Sequence, residues 1–314
     1  MSIHKSTAQV HAGKAAPADP ESLVRFAELL KLRSLAASTQ EGYLRYIRQL
    51  TAWVGHDPTE LSEAQVRAHL LELKNKQAYA PSSMRTAVAA LRAYYGLHLG
   101  REWKLFDLVR SPDHQTLPQV LTRAEVARLF AVIRAERFRV VLRLIYACGL
   151  RVGEAVNLEV GDLRGGQRVH IRQAKGNKDR YVPLPGWMLA ELRLWWKTHR
   201  HPRWIFPGVG RGWHETPAMS AKFATAVEPM STGSIQHCMR LAVAAAQLPQ
   251  GTCVHTLRHS YATHLFDVGV SLRLISAYLG HASLETTLIY AQLTAVNEAG
   301  ARAALEQLQP KTTA

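Results

Sequence analysis

Cysteine is scarce in this 314-residue chain. Cys148, Cys238 and Cys253 are too few and too scattered for a disulfide framework or a Cys-x-x-Cys metal site. Long apolar runs are missing too: no stretch approaches the roughly 18 residues of a membrane span, which argues against an integral membrane protein. Near the start, His4, Lys5, His11 and Lys14 interrupt any apolar segment of the secretory kind. A cytoplasmic protein is expected. Acidic residues are also few, 24 against 39 lysines and arginines, giving a formal charge of +15 and an isoelectric point near 10. That balance disfavours an ordinary acidic metabolic enzyme. It favours a polyanionic partner: DNA, RNA or an anionic membrane surface.

What is present is a globular composition, 47% hydrophobic and 20% charged. The length suits one large domain or two ordinary ones. The charge is uneven, net +4 over residues 1–115 and +11 over 116–314. The second part should therefore make the stronger polyanion contacts. Residues 1–19 are small, polar and without period, and read as a disordered tail. Residues 20–108 carry four amphipathic patterns, the signature of a small helical bundle. Leu23, Phe26, Ala27 and Leu30 share one face. Ser38 with Glu41 reads as a capping box ahead of Tyr43, Ile47, Leu50 and Val54. Ser62 with Gln65 precedes Val66, Leu70 and Leu73, and Pro81 opens a helix with Met84, Val88, Leu91 and Tyr95 on one side.

Residues 109–118, with two prolines and no period, read as the linker. Beyond it, 119–314 form a second domain. Thr122 and Glu125 open a helix, and 138–150 read as a buried helix ending at Gly149. Val169 and Ile171 alternate outward from a Gly176-Asn177 turn, with Tyr181, Val182 and Leu184 on the return side. Residues 201–233 look like loop. Helical patterns resume over 235–247, 257–266, 272–279, 285–293 and 301–308. The fold class is therefore mainly α, with one small β-hairpin in the second domain.

Four clusters could carry chemistry. In 147–154, Arg151 stands between Gly149 and Gly153 at the edge of the core, where a guanidinium can present a rigid donor fork to phosphate; Glu154 could orient it. On its own this also reads as an ordinary helix-end ion pair. In 174–185, Lys175, Lys178 and Arg180 surround the tight turn, which reads equally as a solvated charged tip. In 255–260, His255, Arg258 and His259 fall on one helix face and could form an anion site able to move protons. Metal binding by the two histidines is disfavoured, since no carboxylate or cysteine completes the set and the arginine between them repels a cation. In 279–290, His281 follows Gly280, and Tyr290 lies nine residues beyond it. A lone helical tyrosine is usually core, and a phenol is a poor nucleophile unless cations stabilise its anion.

The order of these clusters resembles the tyrosine recombinase (phage integrase) family, most nearly its Xer-like two-domain site-specific recombinases. The matching positions are Arg151, Lys175, His255, Arg258, His281 and Tyr290, with Glu154 and His259 in support. The resemblance spans about 116–305 and extends more loosely over the helical N-terminal part. Ala174 departs from the glycine that often precedes the lysine, and the 207–231 loop is longer than in compact members. The resemblance implies a SAM-like core-binding domain and a catalytic domain of the DNA breaking-rejoining fold. It implies DNA strand cleavage and rejoining through a 3′-phosphotyrosyl bond to Tyr290, without metal or cofactor. Arg151 and Arg258 would hold the phosphate, Lys175 would act as general acid, His255 would take the tyrosine proton or share acid/base work, and His281 would bond a phosphate oxygen. It also implies double-stranded DNA as partner and a homotetramer on two sites. The apolar face of a C-terminal segment (Ala301, Ala304, Leu305, Leu308) reads as docking on a neighbouring protomer, or else as a helix packed on its own domain. Arg85, Arg92, Lys178 and Arg180 are candidate DNA contacts. The alternatives are a type IB-like topoisomerase and a non-catalytic DNA-binding accessory protein.

Overall fold

The computed structural model describes residues 19–290 except 76, 110–116, 164, 166, 175–177, 211–218 and 282. The tail before Asp19, most of the expected linker, the hairpin turn with Lys175, and the 301–308 helix lie outside the described residues. The chain divides into two compact units between Gln115 and Thr116.

The first unit contains α1 (Glu21–Leu32), α2 (Ala37–Val54), α3 (Glu63–Asn75) and α4 (Pro81–Arg92), which runs on as a π-helical turn over Ala93–His98. A short α5 (Leu105–Leu108) follows. The apolar faces meet in one core that includes Phe26, Ile47, Leu50, Val66, Leu70, Met84, Val88 and Leu91. Burying each such side chain contributes roughly 1.5–3 kcal/mol before entropy is counted. Tyr94 and Tyr95 are fully buried, and each hydroxyl is satisfied, donating to Ser22 Oγ at 2.9 Å and to the Pro58 carbonyl at 2.8 Å. The Ser62–Gln65 box forms, with Ser62 N–H donating to Gln65 Oε1 at 2.9 Å and Gln65 N–H to Ser62 Oγ at 3.3 Å. The Ser38–Glu41 box does not. α2 starts at Ala37 from the boundary residue Ala36, which makes no side-chain cap. Thr39 and Gln40 N–H donate to the Ala36 carbonyl instead, so Ser38 lies inside the first turn.

In the second unit, the Thr122–Glu125 capping box opens α6 (Arg123–Val132). α7 (Glu136–Cys148) is the central helix, buried along Val140, Val141, Leu144, Ile145 and Cys148. α8 (Val152–Val156) follows at once. Strands β1 (Arg168–Ala174) and β2 (Lys178–Pro183) pair antiparallel, Val169 opposite Val182 and Ile171 opposite Arg180, with an irregularity between Ile171 and Ala174. The pleat sends Val169, Ile171 and Val182 into the core. α9 (Gly186–His199), which periodicity left unassigned, packs on α7. A short α10 (Met219–Ala224) interrupts the segment expected to be loop. Then come α11 (Thr232–Ala245), α12 (Val254–Asp267), α13 (Leu272–Leu279) and α14 (Glu285–Leu288). α12 packs against α7, and α13 against both α12 and β2. No helix among the described residues is long and apolar enough to cross a membrane.

Candidate active site

Two glycines set the frame of the site. α7 ends at Gly149 with φ +62°, and α13 ends at Gly280 with φ +65°, a backbone region in which a side chain is strained. A Cβ on Gly149 would also fall 2.4 Å from the Tyr261 ring. The sharp reversal after α7 delivers Arg151 as the boundary residue of α8. The reversal after α13 delivers His281.

Arg258, on the first turns of α12, is only 1% exposed. Its guanidinium is aimed by two helix ends: Nη1 donates to the Gly149 carbonyl at 2.7 Å and Nη2 to the Leu279 carbonyl at 2.6 Å. These carbonyls are the negative poles of α7 and α13, so two dipole ends offset part of the cost of burying the charge. Burial, with Arg151 nearby, lowers the Arg258 pKa to about 10, so it stays protonated near neutrality.

Glu154 is the shared counter-charge. Its carboxylate accepts from the Arg151 backbone N–H at 2.8 Å, from Arg151 Nη1 at 2.8 Å, and from Arg180 at 2.9 and 2.7 Å. Arg258 Nη1 lies 3.9 Å from the same group. Burial alone would raise this carboxyl; the hydrogen bonds from Arg180 and Arg151 override it and hold the pKa at about 2.

Arg180 corrects a sequence expectation. It was a candidate DNA contact, yet it is 9% exposed, forked onto Glu154, and its Nε donates to the Tyr278 carbonyl at 2.8 Å. Its position opposite Ile171 turns it inward with the buried face of β2. Arg92 is likewise engaged with protein, donating to the Phe106 carbonyl at 2.7 Å and to Asp107 at 2.8 Å, although half of it remains exposed. Arg85 is exposed on α4, where it lines a groove of about 540 Å³ with Ser38, Thr39, Tyr43, Ser82 and Thr86. Lys175 and the side chain of Lys178 lie outside the described residues.

The imidazoles gather around Tyr290, which is 1% exposed and packs with Tyr261, Ile275 and Leu279. Its hydroxyl is 3.0 Å from His259 Nδ1, and its ring lies nearly parallel to His281 at 6.5 Å between centroids. Burial raises the phenol pKa and Arg258 opposes that rise. Burial and the neighbouring His255 lower His259 to about 4; burial and Arg258 lower His281 to about 4. Both rings are therefore neutral near pH 7, and the Tyr290 hydroxyl shares a hydrogen bond with His259 Nδ1. His281 pairs through Nδ1 with Thr287 Oγ1 at 2.9 Å. His255 is exposed at the rim, with its ring edge-on to His259 at 4.6 Å; partial desolvation and Arg258 lower its pKa. The expected contact between His255 and the phenol is therefore made by His259. Helical spacing puts the two histidines on one face but cannot say which meets a segment crossing from 31 residues away.

A two-unit helical chain with this arginine, histidine and tyrosine grouping belongs to a definable class. Residues 119–296 match the phage integrase family, and residues 23–105 match the N-terminal SAM-like domain of phage integrases. The chain belongs to the phage integrase family and is a tyrosine recombinase. It is 32% identical over 279 residues to tyrosine recombinase XerA of Thermococcus kodakarensis, covering 87% of this chain and 91% of the relative. It is 30% identical over 334 residues to an integrase/recombinase of Escherichia coli, covering 95% and 98%. Its fold is shared with lambda integrase (residues 75–356) crystallised as a dimer on a core site, with TM-score 0.66, 17% identity, and coverage of 86% and 93%.

Proposed function

We propose that the chain is a site-specific recombinase that cleaves and rejoins double-stranded DNA, with Tyr290 as nucleophile. The observation that carries this reading is that the buried phenol meets His259, His281 and the charge of Arg258, while Arg151 shares Glu154 with Arg258 and His255 packs on His259. The Tyr290 oxygen attacks phosphorus and becomes esterified to the 3′ phosphate. The bond to the 5′ oxygen breaks, and Lys175 on the hairpin protonates the leaving hydroxyl. Arg151 and Arg258 stabilise the charge that builds on the non-bridging oxygens; removing one such donor typically costs about 10²–10³ in rate. His259 accepts the phenol proton. A bound phosphate adds negative charge beside His259 and raises its basicity at the moment the proton must move. Thr287 holds His281 through Nδ1, which leaves the other ring nitrogen, Nε2, to bond a phosphate oxygen. The ester conserves bond energy, so a 5′-hydroxyl from a second duplex can reverse the step and exchange strands.

Exchange needs two DNA sites brought together, and a homotetramer is the assembly that supplies four such tyrosines. The basic charge supports phosphate contacts along the duplex, with Arg85 and Lys178 as candidates. The reading includes a cytoplasmic enzyme that joins the nucleoid when bound, a role in the mobility of a DNA element, a tail at 1–19, domains at 20–108 and 119–314 with a linker between, and docking of the C-terminal segment in trans. Nicked suicide duplexes tiled across the DNA flanking its own gene test the core of it. Wild type forms a denaturant-stable adduct on at least one duplex, and Tyr290→Phe binds that duplex without forming it. An adduct with the phenylalanine variant, or none with wild type on any duplex, overturns the reading.

A further inference from the structure

We propose that Arg180 is a positioning residue for phosphate activation: from β2 it holds Glu154 so that Glu154 presents Arg151, and it ties the hairpin to the α13 end from which His281 emerges. The proposal rests on the reading of Arg151 and Arg258 as the phosphate-holding pair. Arg180 uses all three of its nitrogens. Nη1 and Nη2 close a fork on the two oxygens of Glu154 at 2.9 and 2.7 Å, and Nε donates to the Tyr278 carbonyl at 2.8 Å. A forked pair fixes the carboxylate plane as well as its position, which a lysine ammonium cannot do. With its plane fixed, Oε1 of Glu154 meets Arg151 Nη1, and Oε2 meets the Arg151 backbone N–H. One guanidinium on the sheet thereby sets both the backbone and the side chain of another at the head of α8.

The third bond reaches the residue before Leu279, whose carbonyl receives Arg258. Arg180 and Arg258 thus bond adjacent carbonyls at the same helix end. Gly280 makes room for this arrangement: a Cβ there would lie 3.0 Å from Arg180 Cδ and 3.2 Å from Nε, on a backbone with φ +65°. His281 is the next residue. Glycine at 280 and arginine at 180 therefore act as one device, which spans β2, α8 and the α13 terminus.

The test uses the full-length protein and the nicked duplex on which wild type forms an adduct. That duplex is made with either an ordinary phosphate or a neutral methylphosphonate at the scissile position. Arg180→Lys and Arg180→Gln should slow adduct formation on the phosphate about 10–100-fold, the usual cost of losing an orienting partner. Duplex affinity by mobility shift should stay within about twofold, because Arg180 is buried away from solvent. On the methylphosphonate the slowing should fall to about threefold or less, since little charge is left for Arg151 to stabilise. A residue with a merely structural role, or one that only steadies the Lys175 hairpin, would slow both substrates alike. Equal slowing on the two substrates overturns the proposal, as does a wild-type rate for both variants. Should the Arg180 variants lose their unfolding transition, Gly280→Ala is read by the same ratio. There, selective slowing on the phosphate supports the device, and equal slowing refutes it. Failure of wild type to form any adduct would instead refute the functional reading.

Discussion

Glu154→Gln is the substitution whose consequence follows most directly from the structure. The side chain is 11% exposed and serves two guanidiniums at hydrogen-bond distance and a third at 3.9 Å. Glutamine preserves the shape and removes the charge. Its magnitude follows from the carboxyl's titration. Burial would raise the pKa, the bonds from Arg180 and Arg151 win, and the result is about 2 against an ordinary 4.5. At about 1.4 kcal/mol per pH unit, the carboxylate contributes about 3 kcal/mol to folding. That agrees with the roughly 3–5 kcal/mol lost when one partner of a buried pair is removed. The sign is that of a depressed acid. Unfolded chains take up this proton first, so the contribution is complete above pH 4.5 and drains away as pH falls toward 2. Urea unfolding of the full chain, followed by circular dichroism at pH 7 and pH 3, reads both quantities. The variant should be less stable by about 3 kcal/mol at pH 7, with the gap shrinking to about 1 kcal/mol at pH 3. A gap of equal size at both pH values refutes the electrostatic account. So does a variant as stable as wild type at pH 7.

Two further outcomes follow from the same frame. Gly149→Ala forces φ +62° on a residue with a Cβ and drives it to 2.4 Å from the Tyr261 ring; the thermal midpoint of the second unit should drop by an amount equivalent to about 2–3 kcal/mol, and an unchanged midpoint would show that the α7 end relaxes freely. His259 and His281 are held near pKa 4 against an ordinary 6.5, so the unfolded chain protonates first and stability should fall as pH is lowered from 6.5 toward 4. His259→Gln should flatten that slope, measured by urea midpoints at half-unit pH steps, and an unaltered slope rejects the assignment.

Local chemistry made much of the fold readable. The Thr122–Glu125 and Ser62–Gln65 boxes, Pro81 at a helix start and glycine after α7 are contained within a few residues each. The Ser38–Glu41 pattern matched the same rule and failed, because the chain leaves the turn at Arg33 and Ser34 with Ala36 as the boundary residue, two residues ahead of Ser38. α9 escaped because Trp195, Trp196 and Leu194 are spread around it, which blurs an amphipathic period. In the site, residue types and order were legible, whereas contacts between distant segments were not. Arg180 looked like a surface cation because the hairpin around it is charged. Only the pairing register, with Arg180 across from Ile171, reveals that it points inward. The preference of the phenol for His259 over His255 likewise depends on how the Tyr290 segment crosses α12.

The charge balance of the site carries the mechanism one step further. Arg151, Arg180 and Arg258 surround a single carboxylate, and the adjacent His259 and His281 are neutral, so this cluster retains two positive charges. Helix-end carbonyls ease the burial of Arg258 but supply no whole negative charge. A phosphodiester brings one negative charge, while the five-coordinate species formed by tyrosinate attack brings two. The fixed excess, joined by Lys175 and by the proton that His259 takes up, therefore interacts more strongly with the transition state than with the bound substrate, which is the condition under which binding energy accelerates a reaction. A third fixed cation without Glu154 would favour tight ground-state binding of DNA. A second carboxylate would cancel the positive excess that offsets the negative charge created by attack. In this sense Glu154 sets the size of the excess, and in the arrangement proposed above the Arg180 fork fixes the plane in which Glu154 meets Arg151.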